Sequence, residues 1–415
     1  MIKYDTSTDK LIVNIFGLKL SINFGRMIFD INSSIIRIFD KLLPKHSDSI
    51  VFYIFPGLEK NVLTYYNYLK KSYPGKYKLY LYTTDKAKLG TDIYYLKSFR
   101  SLYHMYTSKY VVVSHASIFI DYFSSKRHVY VNLWHGMPIK KLGYCENNLD
   151  KYLLKRYRFL GDNSHLFVTS DIFKQLFVSC FLMKYDNIHV TGSSRNDVIW
   201  DNSNSDNIEN VYHLKQYKHV VFYLPTFKCA GGKREKQLDK NFNNIFYMDD
   251  YDKNIFKEVI EQEDILFLIK PHPHEENFYK EHPEIIPDGD RFKVIYNEDL
   301  EQNGIDLYEM FSHIDLMLCD YSSVAIDYLI LNKPVIYLNN LAKEYSKGRG
   351  MILSDNFEIL MPGVKVNNFK VFMTELINNL KTDEYKQTRE KMLPLIHKYR
   401  DDKASERIYE IMKGL

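Results

Sequence analysis

Short runs rich in β-branched and aromatic residues, separated by segments of helical period, constrain this chain more than any other feature. "SIVFYIF" precedes the helix-period stretch "EKNVLTYYNYLKK", and "KLYLYTT" follows it. Next come "KYVVVSH", "HVYVNLW", "HLFVTS" and "NIHVTG", each closed by a polar or glycine-containing turn. Near-continuous apolar strands joined by helical crossovers make a parallel sheet covered on both faces. Residues 202–210, "NSNSDNIEN", are polar and aperiodic and read as a linker. Beyond them the alternation restarts with "HVVFYLP", "ILFLIKP", "FKVIYN", "IDLMLCD" and "PVIYL", and the tail is helical and charged on one face. The expected fold class is α/β, with two Rossmann-like, doubly wound parallel-sheet domains facing a cleft. They are placed at residues 49–205 and 211–385, between an N-terminal helical, membrane-proximal segment (1–48) and a C-terminal helical tail (386–415).

A chain of 415 residues suits two such cores of roughly 200 residues each. The net charge of +4, from 56 basic and 52 acidic residues, argues against nucleic acid as a partner. Cys145, Cys180, Cys229 and Cys319 are scattered without a C-x-x-C pair, which speaks against a zinc site or disulfide framework and for a reducing compartment. There is no secretory signal and no run near the ~18 apolar residues of a membrane span, so a cytoplasmic protein is expected. Residues 15–45 interleave large apolar residues with Lys19, Arg26, Arg37, Lys41 and Lys45. A helix packed on its own domain is the first expectation there, and an amphipathic helix peripheral to the inner face of a membrane is the alternative.

Ligands of open α/β sheets sit outside the carboxyl ends of the strands. The residues at those positions are His115 and Ser117; Trp134, His135 and Gly136; Gly192 through Asp197; Pro225, Thr226 and Lys228; Lys270, His272 and His274; and Asp320 through Ser323. Hydroxyls, imidazoles and cations dominate, which suits an anionic ligand carrying phosphates. In "LCDYSSVAIDYLILNKPVIYL" a strand ends at Cys319, and Asp320, Ser322 and Ser323 open a helix carrying Asp327. Free backbone N–H groups with two hydroxyls beside them suit an anion, though a simple helix cap explains one of those polar residues. In "FLIKPHPHE", Lys270, His272 and His274 alternate through a proline-held turn. They fit phosphate better than a metal, which would need a third ligand. Arg195 and Lys228 also read as plain surface charges. The D-x-D of "DDYD" (249–252) sits before a helix and reads as its cap rather than a metal site. Glycine-rich dinucleotide, P-loop and hydrolase-elbow signatures are absent, and no cofactor is expected.

In their order along the chain, "LWHGMPIKKLG", "GSSRND", "YLPTFK", "IKPHPHE", "DYSSVAIDYLILNKPVIYL" and "YSKGRGMILSDNFEILMPG" resemble the CDP-glycerol glycerophosphotransferase family of teichoic acid and capsule enzymes. The resemblance runs from about residue 110 to 365. It implies a GT-B-like fold and metal-independent transfer of glycerol phosphate or ribitol phosphate from CDP-glycerol or CDP-ribitol. The implied acceptor is a lipid-linked or polymeric hydroxyl, and CMP is released. It assigns His135 as the base, His272 as a phosphate contact, and Ser322 and Ser323 to the donor pyrophosphate. Arg349 falls near the donor or acceptor phosphate. With the strand-end residues, the expected catalytic pair is His135 and His272. The expected donor site is Lys228, Thr226, Lys270, Asp320, Ser322, Ser323, Asp327 and Arg349, and the expected acceptor site is Trp134, Gly136, Arg195 and Lys140. Met137 stands where the family has Thr, Lys270 where it has Arg, and Ser193-Ser194 where it has Tyr-Pro. The rival readings are a GT-B sugar transferase using a CMP-linked sialic acid or Kdo, and a non-catalytic binding protein of the same fold.

Overall fold

The computed structural model describes residues 2–5, 10–15, 18–23, 38, 40–54, 59–83, 93–95, 99–115, 125–147, 151–226, 244–340 and 350–415. Three short strands, β1 (Ile2–Asp5), β2 (Lys10–Ile15) and β3 (Leu18–Asn23), form an antiparallel sheet in the order β1-β2-β3. The helix expected from residue 15 onward is thus corrected over its first part. "LKLSIN" alternates with period two, and the alternation prevails over the charge spacing that suggested a helix. Within the rest of that segment the described residues 38 and 40–42 are helical.

The first large sheet is parallel and contains β4 (His46–Ile54), β5 (Lys78–Thr83), β6 (Ile93–Tyr95), β7 (Ser108–Val113), β8 (Val129–Asn132), β9 (Ser164–Val168) and β10 (Ile188–Val190). Its order is β10-β9-β8-β7-β4-β5-β6. The second, also parallel, contains β11 (His219–Leu224), β12 (Ile265–Ile269), β13 (Phe292–Val294), β14 (Leu316–Cys319), β15 (Val335–Leu338) and β16 (Val364–Val366), ordered β13-β12-β11-β14-β15-β16. Both orders reverse direction beside their first strand, which opens a crevice at the carboxyl ends of β4/β7 and β11/β14. The two-domain α/β expectation is met. The three-residue edge strands β6 and β16 were not among the runs read from the sequence.

The helices that matter here are α1 (Lys60–Ser72), α2 (Lys151–Asn163), α3 (Asp171–Phe181), α4 (Ser205–Tyr212), α5 (Lys253–Gln262), α6 (Glu276–Glu281), α7 (Ser323–Tyr328), α8 (Lys386–Ile396) and α9 (Ala404–Met412). Helix α4 corrects the linker reading of 202–210. Ile208 and Tyr212, one turn apart, bury against the core and hold an otherwise polar segment in helical form. Helix α5 starts at "DDYD" as expected: Asp252 caps it by accepting from Asn254 N and Ile255 N. Asp250 accepts from Phe369 N and Lys370 N, so both carboxylates serve structure.

One apolar cluster runs through both domains, joining Trp134, Leu166 and Phe177 to Phe222, Met317 and Tyr328. The chain's last helix adds a second tie. Helix α9 belongs by sequence to the tail, yet Ile408, Tyr409 and Met412 lie in the core of the first sheet with Phe52, Tyr65 and Leu69. Asp197 caps it from the first domain, accepting from Ala404 N (2.9 Å) and Ser405 N (2.8 Å). Burial raises the Asp197 carboxyl to about 6 against those two bonds. Between its ordinary value and 6, the folded chain holds a proton that the unfolded chain has lost. That contribution to stability is complete below the ordinary value and disappears as pH rises through 6. The melting temperature of the wild type minus that of Asp197→Asn is expected to fall from pH 4 to 6 and stay level above. Thermal unfolding across that range checks it, and a flat difference would refute it.

Candidate active site

Strand β8 delivers "LWHG" to the crevice. The ladder runs on one residue past its end, with Leu133 N bonded to Val113 O, and then turns sharply. Asn132 Oδ1 accepts from Trp134 N at 2.9 Å, and Trp134 takes a φ of +54°. That conformation costs a non-glycine residue about 1–2 kcal/mol. Burying the indole against Phe177 and Phe181 of α3 offsets this with about 3 kcal/mol, and Trp134 is only 4% exposed. The turn leaves His135 half-buried at the rim. Its Nδ1 donates to Ser114 O at 2.9 Å, so Nε2 is the nitrogen that carries the lone pair.

Gly136 lies against the second domain. With a φ of +139°, it sits where a Cβ would come within 2.6 Å of Ser323 Oγ and 2.9 Å of the Arg195 guanidinium. Only glycine allows that approach. Ser323 opens α7 directly beyond β14, and the side chain of Ser322 caps the helix by accepting from Val324 N. The W-H-G turn of one domain and the Ser-Ser motif of the other are therefore packed directly against each other.

Some expected ligands have other partners. Arg195 and Asp327, assigned to acceptor and donor, form a buried ion pair with each other across the domains. Tyr308 donates to Asp327 Oδ2 (2.9 Å) and Asn196 to Oδ1 (3.2 Å), while Arg195 also donates to His135 O (2.9 Å). A buried charge needs a partner, and here each is the other's. Asp320, 1% exposed, accepts from Thr226 N and from Thr226 Oγ1 (2.8 Å), fixing the end of β11. Lys270 pairs with Glu276 of α6 at 2.6 Å. Burial lowers its pKa against that pairing, and it braces the turn from behind. Arg195, Asp327, Asp320 and Lys270 thus make protein contacts that shape the crevice.

His272 is half-buried at that turn, and its Nδ1 accepts from His274 N at 3.2 Å, leaving Nε2–H as a donor. Burial, then His274, Lys270 and Lys140, push its pKa down to about 4, so it is neutral at physiological pH. The charge of Lys140, from the first domain, reaches it across the crevice. Lys140 comes from a further contact that the sequence did not show: residues 139–141 pair with 350–352 as an antiparallel ribbon. Lys141 N bonds to Gly350 O (2.9 Å) and Ile352 N to Ile139 O (2.8 Å). Gly350 takes a φ of +88°, and a Cβ there would press on the side chains of Lys141 and Asn147. Lys228 and Arg349 lie outside the described residues.

Three residues at the site went unassigned in the sequence. Asn61, fully buried in α1, donates to Trp134 O (2.9 Å) and accepts from Ser193 Oγ (2.7 Å) and Arg195 N (3.0 Å), welding two motif turns together. Tyr308 contributes its hydroxyl to Asp327 and its ring to Arg195. His115 lies flat on His135, with ring centroids 4.0 Å apart and planes within 2°. Its place after β7 marked it as a strand-end residue, but nothing local tied it to His135. Among the described residues, no group of three or more His, Cys, Asp or Glu side chains is placed to hold a metal ion.

The sequence profile of the CDP-glycerol:poly(glycerophosphate) glycerophosphotransferases matches residues 35–413. The chain belongs to this family. A teichoic acid poly(ribitol-phosphate) polymerase of Bacillus spizizenii is 23% identical over 386 residues, which cover 89% of this chain and 57% of the polymerase. A teichoic acid glycerol-phosphate transferase of Staphylococcus aureus is 24% identical over 89% of this chain and 97% of its own length. The wall teichoic acid polymerase TagF superposes with a TM-score of 0.71 at 21% identity, over 94% of this chain and 95% of that one. The chain thus spans little more than half of the polymerase and nearly all of the transferase. The fold of this glycerophosphotransferase family member is GT-B-like, and its motifs converge on the crevice described above.

Proposed function

We propose that this chain transfers an alditol phosphate from CDP-glycerol or CDP-ribitol to a hydroxyl of a teichoic-acid-type polymer, releasing CMP. The observation that carries the reading is the contact between Gly136 and Ser323, which sets the base His135 beside the start of α7. The acceptor hydroxyl loses its proton to His135 Nε2 as its oxygen bonds to the β-phosphorus. The bond from that phosphorus to the CMP oxygen breaks, and CMP departs with the electron pair. Histidine suits this role because its ordinary pKa lies near neutrality. His272 Nε2–H and the hydroxyls of Ser322 and Ser323 are the donors for the phosphate oxygens. Donors held in place beforehand stabilise the developing charge without reorganising.

The lipid-linked form of the acceptor and a peripheral membrane location belong to the same proposal. They are supported by Ile38 and Leu42, which are 58% and 73% exposed on the helical stretch beside Lys41. No helix among the described residues is long and apolar enough to cross a membrane. The test is CMP release by purified protein given CDP-glycerol, CDP-ribitol or CMP-sialic acid with a glycerol-phosphate-primed lipid acceptor. CMP from a CDP-alditol alone is expected. CMP from CMP-sialic acid alone would assign a sugar transferase instead.

A further inference from the structure

We infer that His115 is a positioning residue for the base, holding the ring plane and tautomer of His135 so that Nε2 faces the acceptor hydroxyl. The inference rests on the function proposed above. The bond from Nδ1 to Ser114 O fixes one point of the His135 imidazole. The flat contact with His115, parallel to within 2° at 4.0 Å, defines the plane of the ring about that point. Trp134, tilted by 30° at 4.6 Å, supplies a second aromatic neighbour.

His115 is itself anchored. Its Nδ1 and Ser114 Oγ are 2.8 Å apart, so one residue, Ser114, holds the base through its carbonyl and the stacked ring through its hydroxyl. Glu59, which caps α1 through Asn61 N and Val62 N, has Ser114 and Arg195 as neighbours. Burial raises the Glu59 carboxyl, and the charge of Arg195 opposes the rise. The groups around the base are therefore His115 after β7, Glu59 before α1, Arg195 from the "SSRND" turn and Ser323 of α7. Burial, then His135, lower His115 to about 3, so it is neutral whenever His135 takes up a proton. A neutral ring face attracts the imidazolium that forms in the step, where a second cation would repel it. Misplacing a base by about 1 Å costs on the order of 10²-fold.

Two measurements on the full chain test this. In the CMP-release assay with CDP-glycerol, His115→Ala is expected to lose about 10- to 100-fold in kcat with KM for the donor little changed. His115→Phe, which keeps a flat ring in the stack, is expected to recover most of that loss. The acidic limb of the kcat–pH profile is expected to move in the alanine variant. Nitrogen-15 NMR of histidine-labelled apo protein, with the His135 signal assigned by its loss in His135→Ala, is expected to show the Nδ1–H tautomer in the wild type and a tautomer mixture in His115→Ala. Wild-type kcat and pH profile in His115→Ala, or an unchanged His135 tautomer, would overturn the inference. Should His115→Ala not fold, Ser114→Ala frees the stacked ring while keeping the backbone carbonyl, and is judged by the same two readouts. A wild type that releases no CMP from either CDP-alditol removes the proposed function, and the tautomer spectrum then still decides whether His115 sets the state of His135.

Discussion

Replacing His135 with alanine is expected to lower the rate of CMP release by about 10²–10⁴-fold, the range supplied by a positioned general base. The expectation follows from the geometry of the turn. Nδ1 is committed to Ser114 O, Trp134 is held in a left-handed conformation one residue earlier, and Arg195 grips the carbonyl of His135 itself. The backbone of the site is thus held by neighbours that the alanine variant keeps. The loss should appear in kcat, with CDP-glycerol still bound through the second domain. Steady-state CMP release, together with calorimetric titration of the donor, separates the two. A variant that keeps wild-type turnover would place the base elsewhere, and one that loses donor binding would make His135 a ligand contact instead.

The largest loss of stability is expected at Asp327. Its carboxylate is fully buried and receives Arg195, Asn196 and Tyr308 from both domains. Asp327→Ala leaves a buried guanidinium without its counter-charge, which typically costs about 3–5 kcal/mol. Removing both charges is less damaging than removing one, because the desolvation penalty goes with them. Arg195→Met combined with Asp327→Leu is therefore expected to melt at a higher temperature than Asp327→Ala. Urea and thermal unfolding of the wild type and the two variants checks this. A loss below about 1 kcal/mol for Asp327→Ala would mean that solvent reaches the pair.

The strands of both sheets were legible because a buried parallel strand writes itself as an apolar run closed by a turn, and "ILFLI" and "LMLC" do so plainly. The strand-end rule then located His135, His272, Ser322 and Ser323. What it did not supply was partnership. Sequence places Arg195, Lys270 and Asp327 at the crevice, but whether a charge there meets a ligand or another side chain depends on packing between distant segments. Arg195 and Asp327 lie 132 residues apart along the chain. His115 and Asn61 were opaque for the same reason, since each acquires its meaning from contacts with residues distant in sequence. The first residues misled in another way: Lys19 lies on β3, where the alternation of "LKLSIN" is the stronger signal.

Helix α9 completes the first sheet's core although at least 350 residues separate it from β4. During synthesis, then, the earliest large sheet emerges with one flank of its interior bare, and it stays so until Ile408 and Met412 leave the ribosome. The second domain is synthesised in the meantime, at ~5–20 residues per second. The first half consequently completes its core with residues made after the second. Gly136 of one half meets Ser323 of the other, so a nascent chain carries no assembled crevice until both have been made.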